Sequence, residues 1–187
     1  MSETALAPVP FVVETLRAYA GRGDRILDVG CGPALYRGVT EADYVGLDIT
    51  DGPYLDGVNR DVDIVAPVER IPVESGAFDL VFSLSAFYQA SDPRAGLSEI
   101  HRVLRPGGRL LLFDYNRRAQ RALTTGEGQP RPAWTQWDLR RRVVRAGFRD
   151  ARLLVAAKRQ PAGVARWLRL IDEELRGQWA IVTAIAA

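Results

Sequence analysis

Ile26-Leu27-Asp28-Val29-Gly30-Cys31-Gly32-Pro33 is an apolar run that ends in an acid and two closely spaced glycines. Glycine lacks Cβ, so such a loop can take positive φ and let a ligand approach the main chain closely. Twenty residues beyond Asp28, the run Tyr44-Val45-Gly46-Leu47 ends in a second acid, Asp48. In doubly wound α/β proteins a glycine loop after one strand cradles a nucleotide-like ligand, and an acid after the next accepts hydrogen bonds from its ribose diol. The two acids and the loop between them therefore read as a nucleoside-binding site. A dinucleotide fold is the obvious rival, but its fingerprint places a third glycine three residues after the second. Position 35 is Leu.

The elements that must carry these residues follow from patterning. Pro10 to Ala20 reads as a helix, with Pro in the first turn and Val12, Thr15, Leu16 and Tyr19 at helical spacing before Gly21. Residues 25–29 form a first strand, 33–39 a short helix and 44–48 a second strand. A Gly/Pro/Asp-rich loop from Asp51 to Asn59 leads to a third strand near Asp61–Val65. Phe78–Ser83 is apolar on both faces, as a central parallel strand requires. Asp92-Pro93 caps and starts a helix through Leu104, and Pro106-Gly107-Gly108 turns the chain into a strand over Arg109–Phe113. Thr135 caps a helix through Ala146 that Gly147 ends, followed by a strand over Phe148–Ala156. Val164, Trp167, Leu168, Ile171 and Leu175 stripe a further helix, and Trp179–Ile185 is the last strand. Thr124–Pro132 reads as a loop. This alternation predicts an α/β, doubly wound sheet with helices on both faces.

A chain of 187 residues fits one domain, 1–187, and its 47% hydrophobic and 26% charged content is ordinary for a globular protein. No apolar run reaches membrane-spanning length and no charged-then-apolar leader is visible, so no membrane partner is expected. A single cysteine excludes an internal disulfide, and a cytoplasmic location is the expectation. The net charge is only +2, with Lys158 the sole lysine. Arg140-Arg141-Arg142 reads as a solvated helix face, and nucleic acid is disfavoured as a partner. One His and one Cys cannot build a common zinc site, so no metal is expected, an all-carboxylate magnesium site being the alternative left open.

Two further blocks sharpen the reading. Ile71-Pro72-Val73-Glu74-Ser75-Gly76-Ala77-Phe78-Asp79-Leu80-Val81-Phe82-Ser83 and Glu99-Ile100-His101-Arg102-Val103-Leu104-Arg105-Pro106-Gly107-Gly108-Arg109-Leu110, taken with Asp28–Gly32, resemble class I S-adenosylmethionine-dependent methyltransferases, in their small-molecule branch. The resemblance covers roughly residues 10–158. It implies a Rossmann-like seven-stranded sheet, order 3-2-1-4-5-7-6, with the last strand antiparallel. It also implies S-adenosylmethionine as cofactor, S-adenosylhomocysteine as product, and methyl transfer to an O, N or C atom of a small-molecule acceptor by a monomer or homodimer.

Residue by residue, the resemblance sets Asp28, Gly30, Cys31 and Gly32 beside the methionine part of the cofactor, with Cys31 as spacing in the loop. It makes Asp48 the ribose acid, with Ile49 beside the adenine, and puts Ser83 where the fourth strand opens onto the methionine end. The family often has an acid where this chain has Pro67; the Val68 backbone N–H and Glu69 stand in for it. Tyr36 is equally a cover for the methionine end or a helix residue packed on the sheet. His101, the only histidine, shares a face with Leu97 and Leu104 and is expected to be structural. Proton removal then falls to Tyr88, Asp114 or Tyr115.

No Asn/Asp-Pro-Pro-aromatic tetrad follows the fourth strand, which disfavours base or glutamine amide nitrogens as targets. A lid is expected from the N-terminal segment, Asp51–Asn59, Tyr115–Trp134 and the helix over Ala162–Arg176. Trp134 and Trp137 are candidates for an aromatic acceptor pocket or for the core. Two other functions compete: a methyltransferase-fold binding or scaffold protein without turnover, and an RNA methyltransferase. A nicotinamide-dependent oxidoreductase fails on Leu35 and on the Arg-Pro-Gly-Gly turn.

Overall fold

A computed structural model of the chain describes residues 6–116, 134–154 and 179–187. Nine strands, β1 (Arg25–Val29), β2 (Asp43–Asp48), β3 (Pro53–Leu55), β4 (Val58–Asn59), β5 (Ile64–Val65), β6 (Phe78–Leu84), β7 (Leu104–Tyr115), β8 (Arg149–Leu154) and β9 (Trp179–Ile185), alternate with α1 (Pro10–Tyr19), α2 (Pro93–Val103) and α3 (Gln136–Arg145). Seven strands form one sheet in the order β5-β2-β1-β6-β7-β9-β8, while β3 and β4 pair separately as a hairpin. The five strands from β5 to β7 run parallel, and β9 is inserted antiparallel between β7 and β8. This is the expected order, and the expected antiparallel edge.

Strand alternation divides the core between two faces. Leu27, Val29, Val81, Leu110, Leu112 and Val182 point to the side of α2 and α3, where Leu97, Ile100, Leu139 and Val143 meet them. Ile26, Leu80, Phe82, Leu111 and Phe113 point to the other side, onto Val12 and Leu16 of α1 and the ring of Tyr36. Burying such side chains is the main favourable term holding helices to sheet. The helices start where their caps dictate. Asp92 accepts the N–H groups of Arg94 and Ala95, and Thr135 and Asp138 form a reciprocal capping box.

Three expectations change. Residues 33–39 are not a helix but successive turns, with the N–H groups of Ala34, Arg37 and Val39 donating to the carbonyls of Cys31, Ala34 and Tyr36. Ala34 at φ 50° and Gly38 at φ 76° both take the left-handed region, and the residues between them are too few to propagate an α-helix. The third strand shrinks to two residues because Asp63 turns its carboxylate inward to accept the Gly46 N–H at 2.6 Å. The Pro106-Gly107-Gly108 block lies within a longer strand as an excursion: Phe78 pairs with Leu104, and pairing resumes at Leu80 with Arg109. Residues 155–156 of the expected sixth strand, the striped helix near Val164–Leu175 and the loop at Thr124–Pro132 lie outside the described residues. Among the described residues no helix is long and apolar enough to cross a membrane.

At the end of α2 remote from the glycine loop, the His101 ring meets Phe148 edge-on at 4.9 Å. Its Nε2 accepts the Ala187 N–H at 3.3 Å, and Gly147 leaves it room. The histidine thus ties α2 to the residues just before β8 and to those after β9. We expect His101→Gln to lower unfolding free energy by about 1 kcal/mol in urea titration while leaving ligand affinity unchanged. A variant of wild-type stability with altered ligand affinity would contradict this role.

Candidate functional site

The carboxyl ends of β1, β2 and β6 meet around a cavity of about 230 Å³. Its floor is main chain. The Leu47 carbonyl accepts the N–H groups of both Gly30 and Cys31, which folds the exit of β1 over the end of β2. Gly30 sits at φ 78°, and a Cβ there would lie 2.1 Å from the Ala86 side chain. Val29 and Gly30 form one wall, Leu47, Asp48 and Ile49 a second, residues 66–69 a third, and the segment after β6 a fourth. That segment leaves the sheet at Ser85, whose φ is 53° and whose N–H donates to the Phe113 carbonyl.

Asp48 faces this space from the end of β2. Its Oδ2 accepts the Gly32 N–H at 2.9 Å and its Oδ1 accepts the Ile49 N–H at 2.7 Å. A carboxylate offers about four lone-pair positions. With two taken by the backbone, the two that remain match a vicinal diol. Ile49 projects at the lip, 69% exposed. Val68 and Glu69 line the wall, and Glu69 also accepts the Asp92 N–H ahead of α2.

Other predicted site residues lie beneath the cavity or away from it. Asp28 is 2% exposed and accepts the Tyr44 hydroxyl at 2.5 Å. Burial, with added repulsion from Asp48, pushes its carboxyl up to about 7 despite the Tyr44 bond and the Arg37 charge. Ser83 is buried and donates to the Val29 carbonyl at 2.8 Å, so it clamps β6 to β1 and does not open onto the pocket. Cys31 is buried with its sulfur against Gly46, where a Cβ would fall 2.9 Å from it. Burial and the carboxylates of Asp28, Asp48 and Asp63 push the thiol up to about 12, which leaves it inert. Tyr36 is buried on the α1 face, accepting the Val9 N–H and meeting Phe82 edge-on, and so covers no part of the cavity.

Tyr88, Asp114 and Tyr115 gather where β7 ends. The two tyrosine rings meet edge-on at 5.7 Å, and Tyr115 stacks on Trp179. Asp114 is 1% exposed; its Oδ1 accepts the Tyr115 N–H, while among the described residues Oδ2 has no hydrogen-bond partner. Burial pushes this carboxyl up to about 8. Trp134 is core, stacked on Phe87 and covered by the Arg142 guanidinium, and Trp137 packs against the same cluster. A larger groove of about 570 Å³ runs between α2 and α3, lined among the described residues by exposed Arg94, Arg142 and Arg145 with Leu97, Ser98 and Ala146. It touches none of the glycine-loop residues.

Two wall residues, Tyr54 and Arg60, escaped the sequence reading. They belong to the β3–β4 hairpin and the residue just after it. The signal was Asp56-Gly57 between two short runs, a turn pair suited to hairpins. Of the expected lid, the hairpin and the N-terminal segment from residue 6 fall within the described residues; the hairpin lines the cavity, whereas residues 9–16 pack on the opposite face of the sheet. Residues 117–133 and 162–176, also expected to cover the site, lie outside the described residues.

Two sets of measurements probe this geometry. Gly38→Ala, at φ 76° with nothing within 4 Å of a new Cβ, should cost only about 1 kcal/mol of left-handed strain. Gly30→Ala should cost clearly more and weaken ligand binding, because strand exit and Ala86 must both move. Equal losses of stability for the two variants would refute the close approach. The buried acids also set a pH dependence. Unfolded carboxyls release their protons near pH 4, whereas folded Asp28 and Asp114 keep theirs to about 7 and 8. The folded state therefore holds more protons in between. The stability these groups confer is full below pH 4 and falls as pH rises through 7 to 8. Asp28→Asn should remove part of that slope, on the order of 3 kcal/mol, in denaturant titrations between pH 5 and pH 8.5. An unchanged slope would return Asp28 to an ordinary carboxyl.

A methyltransferase-domain family profile matches residues 27–112, the segment from β1 to β7 that builds the cavity. A demethylmenaquinone methyltransferase from Mycobacterium sp. (strain KMS) is 36% identical over 109 residues, 56% of this chain and 47% of its own. A tRNA U34 carboxymethyltransferase from Methylococcus capsulatus is 34% identical over 161 residues, 71% of this chain and 47% of its own. The chain spans about a fifth to a half of the length of the curated relatives it matches. Among solved structures, a SAM-dependent methyltransferase from Aquifex aeolicus superposes with a TM-score of 0.62 at 20% identity, covering 93% of this chain and 88% of that one. Sequence likeness concentrated on the strands around the cavity and fold likeness across the whole sheet lead to one assignment: the segment from β1 to β7 matches the methyltransferase-domain family, and the sheet as a whole has the Rossmann-like methyltransferase fold.

Proposed function

We propose that the chain transfers a methyl group from S-adenosylmethionine to an O, N or C atom of a small-molecule acceptor. The observation that carries this reading is Asp48. It is an acid fixed by two backbone N–H groups at the mouth of a cavity with a main-chain floor, and it has two acceptor positions left. The residues fit the cofactor in kind. Gly30 admits it to the backbone, Gly32 fixes Asp48 through its N–H, Asp48 meets the ribose diol, and Ile49, Val68 and Glu69 flank the adenine. When bound, the cofactor supplies an activated methyl on a sulfonium whose departure leaves a neutral thioether. The protein's share is to hold an acceptor in line and keep water away. Burial favours the protonated form of Asp114 against the Tyr115 and Tyr88 N–H groups it accepts, which suits it to donate to an acceptor more than to take its proton, with the rings of Tyr88 and Tyr115 beside it.

The near balance of 25 basic and 23 acidic residues supports a small-molecule acceptor over RNA, although the names of three relatives refer to tRNA. The lone, buried Cys31 is compatible with cytoplasmic action as a monomer or homodimer. Titration calorimetry should give saturable binding of S-adenosylmethionine and S-adenosylhomocysteine and far weaker heat with NAD. Asp48→Ala should lose about 1.5–3 kcal/mol of affinity for both sulfur ligands. Saturation by NAD alone would overturn the reading, and filter retention of mixed RNA would move the acceptor to nucleic acid.

A further inference from the structure

We propose that Arg60 is a second ribose-binding residue, donating through its Nε–H to a diol oxygen whose own proton goes to Asp48; this rests on the cofactor reading above. The guanidinium is aimed by the hairpin. Its Nη1 donates to the carbonyls of Gly52 and Pro53, and its carbon lies 5.2 Å from the centre of the Tyr54 ring. Tyr54 is braced in turn on the glycine loop, where a Cβ on Gly32 would fall 2.9 Å from the ring. These contacts leave Arg60 with little freedom to turn.

What remains is Nε. It is buried, it lies 3.5 Å from Asp48 Oδ2, and it makes no hydrogen bond among the described residues. Buried polar hydrogens of this kind are nearly always satisfied, and a charged donor left over is costly. Arg60 also lines the same cavity wall as Asp48. An acceptor-only carboxylate and a donor-only guanidinium set side by side are complementary to a hydroxyl, which gives one hydrogen and accepts another. A diol seated here spends the two open positions of Asp48 and satisfies Arg60 together. A nucleoside lacking the hydroxyls satisfies neither, so the pair reads the sugar as well as holding it.

A simple counter-ion would also sit beside Asp48, but it would shield the carboxylate and compete with the diol. The two roles differ in sign. The test compares S-adenosylhomocysteine with its 2′,3′-dideoxy analogue by calorimetry on wild type, Arg60→Ala and Arg60→Lys. We expect Arg60→Ala to weaken the parent ligand by roughly tenfold or more while changing the analogue little, so that their affinity ratio contracts. Arg60→Lys, which keeps the charge but loses the planar N–H, should contract it too. If losing Arg60 merely loosens the hairpin, both ligands weaken together and the ratio stays constant, which overturns the proposal. Tighter binding of the parent ligand to Arg60→Ala also overturns it and makes Arg60 a competitor. Wild-type protein that binds neither ligand overturns the cofactor reading, and the role of Arg60 with it.

Discussion

The site depends on one close approach of main chain to side chain, Gly30 against Ala86. Strand β1 cannot end as it does unless its next residue takes positive φ and carries no Cβ, and β6 must deliver a small residue at the facing position. Ser85 turns the chain to do so, anchored by its N–H on the Phe113 carbonyl. The Leu47 carbonyl holds the other side by accepting two successive N–H groups. Three parallel strands thus converge on a floor of backbone, and side-chain chemistry enters only at the rim. A floor of this kind binds through shape and amides, which suits a ligand that brings its own reactivity.

Beneath that floor, acids of one type are separated by environment. Asp28 is buried, accepts the Tyr44 hydroxyl and holds its proton to about pH 7. Partial burial raises Asp63 too, but the Gly46 N–H and the Arg37 guanidinium more than offset it, so its carboxyl lies below the usual range. Arg37 also reaches Asp61 at 2.9 Å and lies over the Tyr44 ring. The turns at 32–40, which stand where a helix was expected, thus place Arg37 so that it fastens the third strand to the loop. Charge is concentrated in the fastening and kept away from the floor. In this way one fold can carry several aspartates in unlike protonation states within a few residues.

The strands, the order of the sheet, the glycine loop and Asp48 were legible because each leaves a local pattern: apolar runs, paired glycines, an acid at a strand's end. The residues misplaced or left open were those whose role depends on what lies opposite. Ser83 has the right position along β6 to open onto the site, yet the Val29 carbonyl across the ladder takes its hydroxyl. Tyr36 has the right distance from Gly32, yet Ala34 at positive φ directs it under α1. Arg60 was hidden for the opposite reason. Its importance comes from Asp48, which is twelve residues away in sequence and 3.5 Å away in space. Periodicity reports which face a residue occupies, and it is silent about a partner brought in by a hairpin.

That hairpin is where this chain departs from the common way of joining parallel strands. A crossover between neighbours such as β2 and β5 is ordinarily a helix packed on the sheet. Here it is a pair of strands of three and two residues, too small to bury a core of its own. The consequence is visible in its exposure: Tyr54 and Leu55 are 41% and 53% accessible, next to Ile49 at 69%. What orders the hairpin is its grip on the site, through Tyr54 on Gly32 and Arg60 between the hairpin carbonyls and Asp48. The same contacts that give the hairpin its shape therefore set the rim of the cavity. A ligand that engages Asp48 and Arg60 joins the network that orders the hairpin. Rim order and ligand affinity are then two readings of a single set of interactions, coupled without any second site.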